Sequence, residues 1–475
     1  MDSLSKYYET VEQDKQHYID RLSEIVAIPS VSCSADHRPD VVRMGHWLKD
    51  QWEALGAETK LVNPGTQELE GKTLDLPPVV LGKYGNDPAK KTLLVYGHYD
   101  VQPALKEDGW STDPFKLVIN DKEQMVGRGS TDDKGPVLGW LCSAEAYKKA
   151  GLEYPVNLKF CFEGMEESGS EGLEEVIRDE ADKWFKGTDV VCISDNYWLG
   201  KEKPCLTYGL RGVSYFYITV QGPGADLHSG VFGGTVHEPM TDLVNLMSKL
   251  VDVKGKILIP GIYDGVAPVT DEEHQAYEGL EFKHSDMEDD LKHKVIVHDE
   301  EKKTLMHRWR MPSLSLHGIE GAFYNPGAKT VIPARVIGKF SIRTVPNMDR
   351  AEVARITCKY LNEEFAKLGS KNKMTAEMAH DGPWWYSSPK HPNFVAGAKA
   401  MERVFGVQPD LTREGGSIPI TISFQEALNC NVLLLPMGSA DDGAHSINEK
   451  LNIRNFIEGI KVFGAYVDEL SKADL

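Results

Sequence analysis

The stretch TLLVYGHYDVQP, residues 92–103, combines an apolar strand with two ionisable side chains at its end. Residues 93–95 form an apolar run of the kind that fills the centre of a parallel sheet. His98 and Asp100 follow directly. The pair is either a structural contact at a strand end or a metal ligand with the carboxylate that orients it, and the stretch alone leaves both open.

Similar apolar runs recur along the chain and alternate with helical patterns. The runs are residues 77–84, 156–164, 189–195 and 429–438, and the helical patterns are residues 16–28, 137–149 and 171–186. Apolar strands separated by helices predict an α/β domain with a mostly parallel sheet that helices cover on both faces.

The middle of the chain has a different pattern. It predicts strands at residues 213–220, 334–345 and 373–382, and helices at residues 238–251 and from Asp349 to about residue 368. Strands and helices in this order suit a small antiparallel sheet with helices on one face. We therefore expect an inserted α+β domain at residues 213–384, with the first domain formed by residues 1–212 and 385–475. The charged stretch 270–303 is expected to be a solvated excursion of the insert.

Composition narrows the possible partners and the compartment. The 475 residues include 53 Lys and Arg against 72 Asp and Glu, a formal net charge of −19 that disfavours nucleic acid and acidic membranes as partners. No apolar run approaches the roughly 20 residues that a membrane span needs. The seven cysteines are scattered without a C-x-x-C pair, which is typical of a reducing compartment. With no secretory signal pattern at the start, we expect a cytoplasmic protein.

Ionisable side chains follow the strands of the first domain. The carboxyl ends of parallel strands meet at one edge of a sheet, where α/β proteins bind ligands. Histidines and carboxylates suit Zn²⁺ or Mn²⁺, and an excess of carboxylates makes two ions about 3.5–4 Å apart plausible. The residues and pairs at these ends and in one glycine-flanked loop are His98, Asp100, Asp132–Asp133, Glu166–Glu167, Asp195, Asp441–Asp442 and His445.

Each of these segments also has an ordinary explanation on its own. Glu166–Glu167 could be a solvated acidic turn, Asp195 a turn cap and His445 a surface residue. Their joint occurrence at strand ends favours the metal site. Other catalytic patterns fit worse, because the chain has no G-x-S-x-G, no complete P-loop and no H-E-x-x-H.

Three residues in or near the insert have two possible roles. His228 lies in a flexible glycine-containing loop, and the residues alone favour an ordinary surface histidine. Arg343 is either a surface charge or a group that binds a substrate carboxylate. Ser417 follows two glycines in a segment that either binds an anion or forms a tight turn.

Eight separated segments resemble the cytosolic non-specific dipeptidases of the co-catalytic metallopeptidase family M20. They are YGHYDVQP, GRGSTDDKGP, EGMEESGS, ISDNYWLG, DLHSGVFGG, GAKTVIP, REGGSIPI and DDGAHSINEK, and they extend over essentially the whole chain. The resemblance implies a phosphorylase/hydrolase-like catalytic domain and a ferredoxin-like inserted domain that serves as lid and dimerisation domain.

The resemblance also implies a role for each matching residue. His98 and Asp195 would bind one ion, Glu167 and His445 the other, and Asp132 would bridge both. Asp100 would orient His98, and Glu166 would be the general base. His228 would reach the active site of the other subunit and stabilise the oxyanion. Substrate binding would involve His228, Thr330, Arg343, Ser417 and His445, and neither Asp133 nor Asp441 is assigned as a ligand.

Together these assignments predict a homodimeric dipeptidase that hydrolyses L-dipeptides such as Cys-Gly with broad specificity. Two divalent ions per subunit, Mn²⁺ or Zn²⁺, would hold a bridging hydroxide beside the Glu166 general base. One alternative is an N-acyl amino acid deacylase or desuccinylase of the same family. A second alternative is a non-catalytic dimeric scaffold that the metal ions stabilise, although a purely structural metal site would need no general base.

Overall fold

A computed structural model describes residues 3–475. The helices are α1 (Ser3–Gln13), α2 (Lys15–Val26), α3 (Arg38–Leu55), α4 (Lys134–Lys149), α5 (Leu173–Glu180), α6 (Ser229–Phe232), α7 (Pro239–Met247), α8 (Asp271–Glu278), α9 (His284–Leu291), α10 (Glu301–Trp309), α11 (Arg350–Leu368), α12 (Pro392–Phe405), α13 (Pro419–Leu428) and α14 (Ile453–Lys472). The strands are β1 (Glu58–Val62), β2 (Thr66–Leu69), β3 (Lys72–Asp75), β4 (Val79–Tyr84), β5 (Thr92–His98), β6 (Val118–Ile119), β7 (Gln124–Val126), β8 (Asn157–Glu163), β9 (Val190–Ile193), β10 (Cys205–Leu210), β11 (Gly212–Gln221), β12 (Leu227–His228), β13 (Ser313–Glu320), β14 (Val331–Ile332), β15 (Arg335–Thr344), β16 (Lys373–Gly382), β17 (Trp385–Tyr386), β18 (Asp410–Glu414), β19 (Asn431–Leu434) and β20 (Lys450–Asn452).

The chain divides into two compact units. Among the described residues, the first unit comprises residues 3–208, 387–412 and 420–475, and the second comprises residues 209–386 and 413–419. The second unit therefore contains a long central part of the chain and one short later segment.

The main sheet of the first unit has the strand order β1-β4-β8-β5-β9-β19-β10. Its four central strands, β8, β5, β9 and β19, are parallel. Every residue of β5 and β8 is buried, and because successive side chains point to opposite faces, both faces of the sheet are covered. Helices α3, α4 and α12 pack against its strands.

The prediction of a mostly parallel sheet is wrong outside these central strands. β1 and β4 pair antiparallel with each other, β4 pairs antiparallel with β8, and β10 pairs antiparallel with β19. The first four residues of β4 are nonetheless fully buried. A continuous apolar run indicates that both faces of a strand are covered, but it does not indicate whether the strand is parallel or antiparallel to its neighbours.

The second unit contains a four-stranded antiparallel sheet with the order β13-β15-β11-β16. The four strands of this sheet and helices α7 and α11 occur along the chain in the order β11, α7, β13, β15, α11 and β16, with further elements between them. Phe216, Ile218 and Val220 alternate along β11 and share a core with Leu243 and Leu246 of α7. The period of two along β11 matches the period of a strand with one buried face.

Two local predictions for this unit had different outcomes. The predicted helix after Asp349 is confirmed as α11, and the Asp349 carboxylate accepts the N–H of Glu352 at 2.8 Å. The strand β13 was not predicted, because Leu314 is its only fully buried residue and its apolar alternation is weak.

Among residues 3–475, no helix combines the length and the apolar character needed to cross a membrane.

Candidate metal centre

The central parallel strands bring four ionisable segments to one edge of the sheet. His98 is the last residue of β5, and Glu166 and Glu167 form a short turn after β8. Asp195 follows β9 by two residues, and His445 follows β19. The shared direction of these strands explains why residues far apart in the sequence meet.

Asp132 lies between the two histidines. Its Oδ1 atom is 3.0 Å from Nε2 of His98, and its Oδ2 atom is 3.2 Å from Nε2 of His445. One carboxylate thus presents each of its oxygens to a different imidazole. This is the geometry that a carboxylate shared by two cations requires.

Two groups of three side chains can each hold a cation. In the first, the donor atoms of His98, Asp133 and Asp195 lie within 4.8 Å of one another, and in the second the same holds for Asp132, Glu167 and His445. Each group offers one imidazole and two carboxylates. This donor set fits Zn²⁺ or Mn²⁺ and lacks the thiolates that softer metals prefer.

The protonation of these groups also fits cation binding. Hydrogen bonds to Asp132 and Glu167 raise the pKa of His445 to about 10, and burial raises the pKa of Asp195 to about 6. Burial lowers the pKa of His98, but Asp195 and the hydrogen bonds to its other carboxylate neighbours raise it well above its usual value. Without cations, protons therefore offset the buried negative charge, and bound cations would displace them.

Two further side chains contact the candidate ligands. Nδ1 of His98 lies 3.3 Å from Oδ1 of Asp100, and the Asp100 carboxylate accepts the backbone N–H groups of Glu166 and Glu167 at 3.2 and 3.1 Å. Gln102 donates from its amide to Oε2 of Glu167 at 2.8 Å. The segment after His98 therefore fixes both its own imidazole and the acidic turn after β8.

Glu166 belongs to neither group of three, although it lies beside them. Its Oε2 atom is 3.9 Å from Nε2 of His98. Burial, together with the charges of Asp195, Asp132 and Glu167, raises the pKa of Glu166 well above its usual value, and the charge of His98 opposes this shift. A carboxyl group with a raised pKa next to a cation site is suited to accept and return a proton.

The structure adds Asp133, to which the sequence assigned no ligand role. Its Oδ2 atom accepts the backbone N–H of His98 at 3.1 Å, and its Oδ1 atom is buried without a hydrogen-bond partner in the described part of the chain. Asp132 and Asp133 thus face different partners, a distinction that two adjacent aspartates in a loop do not reveal from sequence. Asp441 instead pairs with Lys450 at 2.8 Å.

The remaining predicted residues belong to the second unit. Arg343 donates to the hydroxyl of Ser417 at 3.1 Å, and that hydroxyl donates to the backbone carbonyl of Arg211 at 2.6 Å. Within residues 3–475, Arg343 has no carboxylate partner at salt-bridge distance, so its guanidinium is available to an external carboxylate. His228 and Thr330 are exposed on neighbouring segments, where His228 pairs with Val331 between β12 and β14.

The model of peptidase family M20/M25/M40 matches residues 94–469. The chain belongs to this family. The matched range contains both groups of candidate ligands, Glu166 and the Arg343–Ser417 pair. The M20 chain is therefore a peptidase.

Relatives of this M20 chain match along its whole length. It is 57% identical to the Cys-Gly metallodipeptidase dug1 of Schizosaccharomyces pombe, covering 99% of this chain and 98% of the relative. It is 44% identical to the Beta-Ala-His dipeptidase of Homo sapiens, covering 99% and 93%. Among solved structures, the di-peptidase Dug1p of Saccharomyces cerevisiae matches with a TM-score of 0.89 and 52% identity, covering 100% of both chains. Human carnosine dipeptidase 1 matches with a TM-score of 0.88 and 44% identity, covering 99% of both.

Proposed function

We propose that this M20 peptidase hydrolyses L-dipeptides, with Cys-Gly among its substrates. The observation that carries the proposal is the sequence identity of 52–57% between this chain and three fungal Cys-Gly metallodipeptidases over nearly its full length. The geometry supports it, because one compact cluster holds two candidate cation sites and a neighbouring glutamate.

Five residues would hold two divalent cations, Mn²⁺ or Zn²⁺. When bound, one ion would be held by His98 and Asp195 and the other by Glu167 and His445, and Asp132 would serve both. When bound, the two ions lower the pKa of a water molecule and polarise the carbonyl group of the scissile peptide bond.

Glu166 performs the proton transfers. Its carboxylate takes a proton from the attacking water and gives it to the amine nitrogen as the C–N bond breaks. Asp100 keeps the His98 imidazole oriented, with Nε2 directed toward the cations. His228 donates a hydrogen bond to the oxygen on which negative charge develops.

The second unit recognises the C-terminal end of the substrate. The guanidinium of Arg343 binds the free carboxylate, with Ser417 holding one of its nitrogens in place. Thr330 adds a hydroxyl, and the outer edge of the His445 imidazole contacts the bound dipeptide. Recognition of the free carboxylate by Arg343 would favour dipeptides, because their C-terminal carboxylate lies one residue from the scissile bond.

The active enzyme is a homodimer in which His228 serves the partner's site, and the inserted unit acts as lid and dimerisation domain. Exposure supports this part of the proposal. His228 and Thr330 are exposed in the single chain, and near them Val231, Phe232 and Tyr324 are 65%, 39% and 89% exposed. A second copy would cover these apolar side chains. A reducing cytoplasmic location belongs to the same proposal, and the absence of a C-x-x-C pair among the scattered cysteines supports it.

The test uses metal-stripped protein that is supplied again with Mn²⁺ or Zn²⁺. Its kcat/KM is measured on Cys-Gly, β-Ala-His, other L-dipeptides, a tripeptide and N-acyl amino acids. We expect hydrolysis to return only when metal is supplied again, and we expect dipeptides to be hydrolysed fastest. Faster hydrolysis of the N-acyl amino acids would reassign the enzyme as a deacylase, and metal binding without any hydrolysis would favour the scaffold alternative.

A further inference from the structure

Glu449 lies outside the predicted site, yet it makes four hydrogen bonds to the segment that carries Asp132. The side chain is completely buried just before β20. Its Oε2 atom accepts from the Arg128 guanidinium at 2.8 Å and from the N–H of Gly129 at 3.1 Å. Its Oε1 atom accepts the N–H groups of Thr131 and Asp132, both at 3.1 Å.

The bond to the N–H of Asp132 links Glu449 directly to the central candidate ligand. Asp132 must present one oxygen to each side of the centre, because it faces His98 on one side and His445 on the other. A small rotation of its backbone would move both oxygens. Glu449 follows His445 by only four residues, so the same segment carries one ligand and fixes the backbone of another.

A second buried carboxylate connects the same two segments. Asp442 accepts the hydroxyl of Thr131 at 2.8 Å and the ammonium of Lys450 at 2.6 Å. The backbone N–H of Lys450 also donates to the carbonyl of Asp442 at 2.9 Å. The loop that carries Asp132 and the loop before β20 are therefore joined by several buried hydrogen bonds, and Glu449 makes four of them.

We infer that Glu449 is a positioning residue for the two-cation centre. It fixes the backbone of Asp132, so that one carboxylate can serve both cation sites at once. The kinetic part of this inference rests on the proposed dipeptidase function, whereas the cation-binding part does not. The chemical requirement is an acceptor with two oxygens, because four donors converge on the side chain.

The substitution Glu449→Gln tests this requirement. An amide replaces one acceptor oxygen with a donor, which must then face two existing donors. We expect the affinity for the more weakly bound Mn²⁺ ion to fall by about tenfold or more, with a similar fall in kcat for Cys-Gly. KM should change much less, since Glu449 has no proposed contact with the substrate. The exchange-coupled electron paramagnetic resonance signal of two neighbouring Mn²⁺ ions should weaken.

Glu469→Gln is the matched control. Glu469 is 7% exposed on α14 and pairs with the half-exposed Arg403 at 2.6 Å, so the substitution neutralises a buried carboxylate and removes its ion pair away from the predicted site residues. The control is expected to lower the melting temperature while two Mn²⁺ ions still bind and couple. Glu449→Asp, which keeps the charge but shortens the side chain, is the second variant if the glutamine variant does not fold.

Wild-type Mn²⁺ affinity, coupling and kcat in a folded Glu449 variant would overturn the inference. A wild-type protein that binds two Mn²⁺ ions but hydrolyses no dipeptide would overturn only the proposed function. In that event the Mn²⁺ titration and the resonance signal of the variants still decide whether Glu449 positions Asp132.

Discussion

The carboxylate of Asp100 lies 3.3 Å from Nδ1 of His98, on the side of the ring opposite the candidate cation sites. The same carboxylate accepts the backbone N–H groups of Glu166 and Glu167. A single buried anion therefore orients a predicted ligand at the end of β5 and the acidic turn after β8. The spacing of two residues between His98 and Asp100 places both groups at one strand end.

Replacing Asp100 by asparagine tests this double role. The Asp100→Asn side chain keeps its size but loses its charge, and it has one acceptor oxygen instead of two. We expect a fall of about 10–100-fold in metal affinity or in kcat/KM for Cys-Gly. Calorimetric titration with Mn²⁺ and steady-state kinetics measure both. Asp121→Asn, at an exposed position, is the control, and wild-type metal affinity in the Asp100 variant would contradict the prediction.

Replacing Glu166 by glutamine separates proton transfer from cation binding. Glu166 is not in either group of three donors, so Glu166→Gln should still bind two ions. We expect kcat for Cys-Gly to fall by about 10²–10⁴-fold, because the amide cannot accept the proton of water. The exposed residue Glu175 on α5 provides the control variant Glu175→Gln. A fall of less than about tenfold, or about 1.4 kcal/mol in the barrier, would remove Glu166 from the role of base.

Replacing Arg343 tests recognition of the substrate carboxylate. Wild-type enzyme should hydrolyse Cys-Gly much faster than Cys-Gly amide, which has no C-terminal charge. Arg343→Met should raise KM for Cys-Gly by about tenfold or more and reduce this preference, because a charged hydrogen bond is lost. Arg335→Met changes an exposed arginine at the start of the same strand and serves as the control. An unchanged preference for the free carboxylate in the Arg343 variant would refute the assignment.

The location of the candidate site could be predicted from sequence because its ionisable side chains lie just after the ends of strands. His98, Glu166, Glu167 and Asp195 each stand within four residues of the end of a strand that the apolar pattern identifies. The carboxyl ends of neighbouring parallel strands lie at the same edge of a sheet. The convergence of these residues therefore follows from the topology. The resemblance supplied the assignments that topology leaves open, such as the difference between Glu166 and Glu167.

Other features depend on the three-dimensional backbone. Asp133 and Gln102 contact the predicted ligands, but the sequence does not show in which direction a loop side chain points. The contacts of Glu449 were also missed, although the residue lies in the segment DDGAHSINEK, because a buried acceptor of backbone N–H groups has no sequence pattern. The antiparallel direction of β4 could not be predicted because burial on both faces gives the same apolar run in either direction.

Mixing two inactive variants tests whether His228 acts across a dimer interface. His228→Ala and Glu166→Gln proteins are each expected to be nearly inactive. If one subunit supplies Glu166 and its partner supplies His228, each mixed dimer regains one complete site, because that site combines the intact residue of each chain. Random exchange of subunits should then restore roughly a quarter of wild-type activity. Gel filtration with light scattering checks the dimer mass, and subunit exchange that restores no activity would show that His228 does not serve the partner's site.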